Sequence, residues 1–115
     1  MSDNKELNAV LALKKALDAK FAQDIIVMDL RNVSPIADFF VIATGGSAPQ
    51  MAALAETAED TLKNEGMNLF HKEGVQSAKW VLLDFGSVIM HLFDKESREY
   101  YNLERTWGDA KIVAL

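Results

Sequence analysis

The feature that most constrains the fold is a predicted β-hairpin over residues 80–93. Gly86 and Ser87 separate two apolar runs, and a two-residue loop that begins with Gly is typical of a type II′ hairpin turn. This turn fixes the register of the two strands, because each residue before it faces one residue after it. On one face the predicted pairs are all apolar: Phe85–Val88, Leu83–Met90 and Val81–Leu92. We therefore expect this face to lie in a hydrophobic core.

The opposite face of the hairpin has an unusual composition. Its predicted pairs are Trp80–Phe93, Leu82–His91 and Asp84–Ile89. A strand face in contact with water normally carries polar residues, whereas this face is mostly apolar with one acid and one histidine. Either a helix of the same chain or a partner protein is expected to cover it.

The remaining pattern predicts an α/β domain. The first half is predicted to contain a helix over 4–20, which begins with the capping box Asp3-x-x-Glu6, and strands over 24–30 and 38–43. A second helix is predicted over 48–65 and begins with the capping box Ser47-x-x-Gln50. A short strand over 68–71, a loop over 74–79, the hairpin and a helix from Asp94 to about residue 103 follow. Helices that cross between strands favour a mixed β-sheet flanked by helices. We predict one domain over residues 1–107 and a loosely held C-terminal tail over 108–115.

Composition excludes several classes of protein. The chain has 115 residues and no cysteine, so disulfides and thiolate metal sites are excluded. It has no apolar run of the roughly 18 residues that a membrane helix needs, and its polar N-terminus does not resemble a targeting signal. We therefore expect a cytoplasmic protein.

The net charge of −5 argues against nucleic-acid binding, which needs clustered Lys and Arg. An acidic domain is better suited to a basic partner protein. The same charge is also explained by solubility alone, so both readings stay open.

A glycine-rich turn raises the question of catalysis. Thr44-Gly-Gly-Ser47 joins a strand to a helix N-terminus, where backbone N–H groups can hold an anion. The turn resembles the opening of the nucleotidyltransferase superfamily, whose chemistry needs two carboxylates on the next strand to hold Mg²⁺. That strand offers Asp84 but has Gly86 at the second position, and His71 and His91 lack metal-ligand spacing. We predict no enzymatic activity, no cofactor and no metal, with a nucleotidyltransferase-type enzyme as the alternative.

The aromatic residues near the C-terminus point instead to an interface. Trp and Tyr combine a large apolar area with a polar tip and dominate interface hot spots. Trp80 lies on the mixed face of the hairpin, and Tyr100 and Tyr101 are adjacent in the final predicted helix. Only one of the two tyrosines can point fully inward, and the sequence does not decide which. Asp38 and Asp84 are candidates for pairing with Arg or Lys, within the chain or on a partner, and Arg98 is the candidate for an internal pair.

These segments together resemble the Iojap family, the ribosomal silencing factor family of bacteria and organelles. The resemblance rests on Trp80-Val-Leu-Leu-Asp84, Val88-Ile-Met-His-Leu-Phe93, Arg98-Glu-Tyr-Tyr-Asn-Leu-Glu104 and Trp107, with support from residues 24–30 and 38–50. It implies a nucleotidyltransferase-like sheet without the catalytic carboxylates. It also implies binding to the large ribosomal subunit through ribosomal protein L14, which blocks docking of the small subunit and reduces translation when nutrients are short.

The hairpin register and the resemblance together give a hypothesis for the partner-binding surface. The predicted contact residues are Trp80, Leu82, Asp84, His91 and Phe93, with Tyr100 or Tyr101 at the rim. Aromatic burial would supply most of the affinity, and the acidic charge would speed encounter with a basic ribosomal protein. A homodimer through the same face, or a homodimeric interaction scaffold without ribosome affinity, is the remaining alternative.

Overall fold

A computed structural model describes residues 2–74 and 79–113, with side chains described from residue 5 onward. Its elements are α1 (Ser2–Ala19), β1 (Gln23–Asp29), β2 (Phe39–Thr44), α2 (Ala48–Asn64), β3 (His71–Glu73), β4 (Trp80–Asp84), β5 (Val88–Phe93), α3 (Lys95–Tyr101), α4 (Leu103–Thr106) and β6 (Lys111–Ile112). The side chain of Asp3, and with it the predicted first capping box, lies outside the described residues. So does most of the loop predicted over 74–79.

The strands form one mixed sheet, which confirms the predicted α/β class. Their order is β3-β4-β5-β2-β1-β6. The central pair, β2 and β5, is parallel, and the other pairs are antiparallel. Every residue of β2 and β5 is buried, as expected for parallel strands that are covered on both faces.

The predicted hairpin register is confirmed. Trp80 pairs with Phe93, Leu82 with His91, and Asp84 with Ile89. Gly86 has a φ of 84°, a conformation that other residues rarely adopt, which explains why glycine stands at this turn. The Phe85 N–H donates to the Val88 carbonyl at 2.9 Å, so the loop contains two residues as predicted.

Helices α1 and α2 cover one face of the sheet. Ser47 caps α2, where its hydroxyl accepts a hydrogen bond from the Gln50 N–H at 3.2 Å. The buried stripe of α2 consists of Met51, Leu54, Ala55, Ala58 and Leu62. It packs with α1 and with the inward face of the hairpin, including Val81 and Leu83, in one cluster. The face predicted to be all apolar therefore lies in the main core.

The second face of the sheet is only partly covered. Met28, Phe40, Ile42, Ile89 and Phe93 form a separate buried cluster there, against which Leu103 and Trp107 pack. Segments after Asp94 therefore cover the middle of this face. This agrees with one of the two expectations for the mixed face of the hairpin, that a helix of the same chain covers it. Strand β4, which lies between β5 and the edge strand β3, extends beyond this cover, and its side chains on this face are half-buried.

The structure differs from the prediction in three short elements. The short strand lies at His71–Glu73 rather than 68–71. The final helix ends at Tyr101, because Asn102 adopts a left-handed conformation with φ 44° and begins the separate helix α4.

The third difference lies in the segment predicted as a loose tail. Lys111 and Ile112 form β6, which pairs with Asp29 and Met28 of β1, and the Val113 N–H donates to the Val27 carbonyl at 2.9 Å. The outer edge of β1 supplies the backbone partners, and a two-residue strand is too short to leave a sequence pattern. Within the described residues, no helix has the length and apolar character needed to cross a membrane.

Candidate partner-binding surface

Trp80 is the centre of the half-exposed region on β4. Its ring lies 4.5 Å from the Tyr101 ring and 5.1 Å from the Phe93 ring, measured between centroids. Its indole N–H donates to His91 Nδ1 at 3.1 Å. These contacts fix the orientation of a large aromatic side chain that is half-buried and still partly accessible. A rigid, partly uncovered Trp is the kind of residue that dominates protein–protein interfaces.

The two adjacent tyrosines on α3 have different surroundings. Asp94 caps this helix, because its Oδ1 accepts a hydrogen bond from the Ser97 N–H at 2.8 Å. Tyr101 is 45% exposed and packs on Trp80 and Phe93, whereas Tyr100 is 81% exposed and meets Tyr101 edge-to-face at 5.0 Å. The structure therefore decides what the sequence left open, since Tyr101 is the tyrosine that faces the sheet.

Leu82 and Asp84 continue the same face of β4 toward the hairpin turn. Both side chains are half-buried. Asp84 Oδ1 accepts a hydrogen bond from the Gly86 N–H at 2.8 Å, which holds the carboxylate in place next to the turn. One acidic group is therefore fixed at the end of an otherwise apolar and aromatic strip.

His91 and Phe93 lie beneath this strip rather than on it. They are 5% and 0% exposed, because β5 is an interior strand. His91 meets the Phe40 ring edge-to-face at 4.6 Å. Burial lowers the pKa of His91 to about 4, so the neutral imidazole accepts the hydrogen bond from Trp80, while its Nε2 has no hydrogen-bond partner.

The seven residues predicted from the sequence thus fall into two layers. Phe93 and His91 support the strip from below and do not reach solvent in the free chain. We refer to the remaining five as the aromatic surface: Trp80, Leu82, Asp84, Tyr100 and Tyr101. Their role as contacts remains a prediction, taken up under Proposed function.

Arg98 is the one buried cation of the described chain, at 8% exposure. Its Nη1 donates to the carbonyl of Asp24 and, at 2.9 Å, to the hydroxyl of Thr44. Its Nη2 lies 3.4 Å from the Glu104 carboxylate. This single guanidinium therefore links α3 to β1, β2 and α4.

The internal pair of Arg98 with Asp38 or Asp84 is not formed, since the guanidinium binds Asp24, Thr44 and Glu104 instead. Its first acceptor is the carbonyl of Asp24, a residue with φ 50° at a register shift in β1, and backbone acceptors of this kind leave no pattern in a sequence. The Arg98–Thr44–Glu104 cluster was therefore missed. The only available signal was an arginine inside the helix predicted from Asp94 to about residue 103, where charged residues are ordinary on the exposed face.

A cleft of about 530 Å³ opens beside Arg98 at the carboxyl ends of the parallel strands. It is lined by Asp24, Ile26, Thr44, Lys95, Arg98, Glu99, Asn102 and Glu104. Acids outnumber bases in this lining, which disfavours an anionic ligand. In the neighbouring turn, the Gly46 N–H donates to the Gln50 side chain. Among the described residues, no group of three or more His, Asp or Glu side chains is placed to hold a metal ion.

The chain matches the family model described as "ribosomal silencing factor during starvation" over residues 3–115. It belongs to the ribosomal silencing factor family. The family consists of translational regulators that associate with the ribosome, not of enzymes.

Relatives of known name agree with this assignment. The ribosomal silencing factors RsfS of Halalkalibacterium halodurans and Bacillus subtilis are 41% and 42% identical to the chain over 100 residues, which is 87% of this chain and 86% and 85% of those proteins. A crystal structure of a Chromobacterium violaceum protein has a TM-score of 0.84 at 32% identity, covering 89% of this chain and 85% of that one. The resemblance inferred from the sequence is confirmed.

Proposed function

We propose that this protein binds the large ribosomal subunit through ribosomal protein L14 and thereby prevents the small subunit from joining. Membership of a family of silencing factors that act during starvation supports this role. In this proposal the protein acts in the cytoplasm and lowers translation when nutrients are limiting. The aromatic surface is the part of the molecule that contacts L14.

The observation that carries the choice of surface is the pair formed by half-buried Trp80 and exposed Tyr101, with ring centroids 4.5 Å apart. Both rings are held in place by the sheet beneath them, so little conformational entropy is lost when a partner covers them. Covering the exposed parts of Trp80, Leu82 and Tyr101 removes apolar area from water, which is the main source of affinity at a well-packed interface.

The negative charge of the protein is expected to affect mainly the rate at which it meets L14 and the orientation in which the two proteins dock. The chain has a net charge of −5, and Asp84 places one fixed carboxylate at the end of the aromatic surface. A basic patch on the partner would be attracted over long range and would then align with Asp84. The same property disfavours direct binding to ribosomal RNA.

To block subunit joining, the protein needs only to stay folded and bound on the large subunit. The chain has extents of 37 × 30 × 25 Å, with two buried parallel strands at its centre. A folded body of this size on the subunit-joining face would occupy space that the small subunit requires. No covalent step or cofactor enters this mechanism.

Sedimentation through a sucrose gradient tests the activity itself. The purified protein is mixed with separated large and small subunits under conditions that otherwise yield joined ribosomes. We expect the protein to migrate with the large subunit alone and the yield of joined particles to fall as its concentration rises. Protein that stays at the top of the gradient with both subunits would refute the proposal.

Substitutions on β4 test the surface assignment. Trp80→Ala should weaken binding to the large subunit by about tenfold or more, and Trp80→Phe, which keeps an aromatic ring, should weaken it less. Asp84→Arg should also weaken binding. Asp60→Arg makes the same change of charge on the exposed side of α2, on the opposite layer of the molecule, and should have little effect.

Circular dichroism and denaturant unfolding establish that each variant is folded. If folded Trp80→Ala and Asp84→Arg proteins bind as tightly as the wild type, the aromatic surface is not the contact. If Asp60→Arg weakens binding as much as Asp84→Arg, overall charge rather than local contact explains the effect.

A further inference from the structure

We infer that Arg98 is a positioning residue for partner binding, because it fixes α3 on the sheet so that Tyr101 lies against Trp80. This inference rests on the proposed function, since it concerns the same surface. Arg98 is itself 8% exposed, so its own side chain offers almost nothing for a partner to touch. Its influence would pass through the tyrosine one turn later on the helix.

The contacts of Arg98 connect the segments that must stay in register. Its guanidinium reaches the Asp24 carbonyl on β1, the Thr44 hydroxyl on β2 and the Glu104 carboxylate on α4. Trp80 lies on β4, in the same sheet as β1 and β2. Holding Arg98 in place thus holds α3 relative to the strand that carries Trp80.

Helix α3 depends on such an anchor because it is short. It has seven residues, Lys95–Tyr101, and ends at the left-handed residue Asn102. A helix of this length is unstable by itself and takes its order from tertiary contacts. Within it, Arg98 and Tyr101 are three residues apart and so lie on the same side of the helix. Arg98 is the buried residue of this helix.

Loss of the guanidinium would release the tyrosine. The Thr44 hydroxyl, in a residue that is 2% exposed, would lose its donor. The Asp24 carbonyl and the Glu104 carboxylate, which border the cleft, would lose the group that ties them to α3. Unsatisfied buried acceptors are costly, and Glu104 already has one buried oxygen without a partner. Without the guanidinium that links them to β1 and β2, α3 and α4 can move outward, and water from the cleft can reach the Thr44 hydroxyl. That movement takes Tyr101 off Trp80 and dissolves the preformed aromatic pair.

Two substitutions weaken the anchor in different ways. Arg98→Met removes the guanidinium but keeps a long side chain, and Arg105→Met is its matched control, since Arg105 is exposed on α4. Thr44→Val removes one acceptor without changing Arg98, and Thr44→Ser, which keeps the hydroxyl, is its control. Thr44 is 2% exposed, so a loss of binding in Thr44→Val cannot come from a lost direct contact.

The first readout needs no ribosome. In a Trp107→Phe background Trp80 is the only tryptophan, because the chain has two. We expect acrylamide to quench Trp80 fluorescence more strongly in Arg98→Met and Thr44→Val than in the background protein. Arg105→Met and Thr44→Ser should match the background. Equal quenching in all folded variants would overturn the inference.

The second readout is binding to the large subunit in a double-mutant cycle with Tyr101→Ala. We expect Arg98→Met to weaken binding about tenfold in the wild-type background and to have almost no further effect once Tyr101 is Ala. Equal losses in both backgrounds would show that Arg98 does not act through Tyr101 and would overturn the inference. If Arg98→Met does not fold, Thr44→Val and Thr44→Ser are carried through the same cycle.

Failure of this inference and failure of the proposed function give different results. If wild-type protein does not bind the large subunit, the proposed function fails, and the fluorescence comparison still decides whether Arg98 holds Tyr101 on Trp80. If the wild type binds and both Arg98→Met and Thr44→Val bind equally well, only the positioning role is refuted.

Discussion

At the residue scale, His91 should make folding stability depend on pH. Burial lowers its pKa to about 4, whereas an unfolded histidine titrates near its ordinary value of about 6.5. Between these values the unfolded chain binds a proton that the folded chain does not, so stability is full above about pH 6.5 and falls as the pH falls. We expect His91 to contribute a loss of about 2 kcal/mol between about pH 7 and pH 5. Urea unfolding at intervals across that range measures it.

The matched variant is His91→Gln, which keeps an acceptor for the Trp80 indole but does not titrate. Its unfolding free energy should change much less between pH 7 and pH 5. His71, the other histidine, is exposed on β3, and His71→Gln should keep the wild-type dependence. If His91→Gln and the wild type lose equal stability over this range, the buried imidazole is not the group responsible.

The residues of the aromatic surface, and Arg98 beside it, also show where sequence reasoning succeeds and where it stops. The faces of Trp80, Leu82 and Asp84 followed from the turn at Gly86, because alternation along a strand is strict once the register is known. The acceptors of Arg98 did not follow, because the Asp24 carbonyl comes from a distortion in a strand 74 residues away. Local rules cannot supply such a contact.

At the element scale, a strained residue lies just after the C-terminus of α1. Phe21 has a φ of 66° and is 81% exposed. Its N–H donates to the Asp18 carbonyl and the Ala22 N–H donates to the Leu17 carbonyl. This is the hydrogen-bond pattern of a helix end that normally has glycine at this position. Phe21→Gly should raise the free energy of unfolding by about 1 kcal/mol, because glycine adopts this conformation without the steric penalty.

Phe21→Ala separates the backbone effect from loss of the ring. Alanine keeps the steric penalty of a β-carbon, so Phe21→Ala should stay close to the wild type in the same urea titration. If both variants change stability equally, the effect comes from the exposed ring and not from the backbone conformation.

The secondary-structure elements differ in how well the sequence predicts them. Helix α2 was predicted almost to the residue, because Ser47 marks its start and its apolar stripe is regular. Strand β6 was not predicted, because it consists of Lys111 and Ile112 and depends on the free edge of β1. Short strands take their structure from a neighbour, so their own residues carry little signal.

At the scale of the whole molecule, net charge and aromatic burial should affect different steps of binding. A net charge of −5 acts over distances near the Debye length, before contact, and therefore on the association rate. The Trp80–Tyr101 pair acts only after contact and therefore on the dissociation rate. We expect a rise in monovalent salt from about 0.05 M to about 0.5 M to slow association with the large subunit and to change dissociation little.

Trp80→Ala should show the opposite behaviour, with faster dissociation and an association rate near that of the wild type at every salt concentration. Asp84→Arg should change both rates, since it alters the charge and lies on the aromatic surface, whereas Asp60→Arg should alter only association, and slightly. Stopped-flow mixing with fluorescently labelled large subunits measures the two rates separately. If salt acts mainly on dissociation, or if Trp80→Ala acts mainly on association, the division between steering by charge and holding by aromatic burial is wrong. Binding would then depend on a charged contact formed late in docking, and Asp84 would be the first residue to test for it.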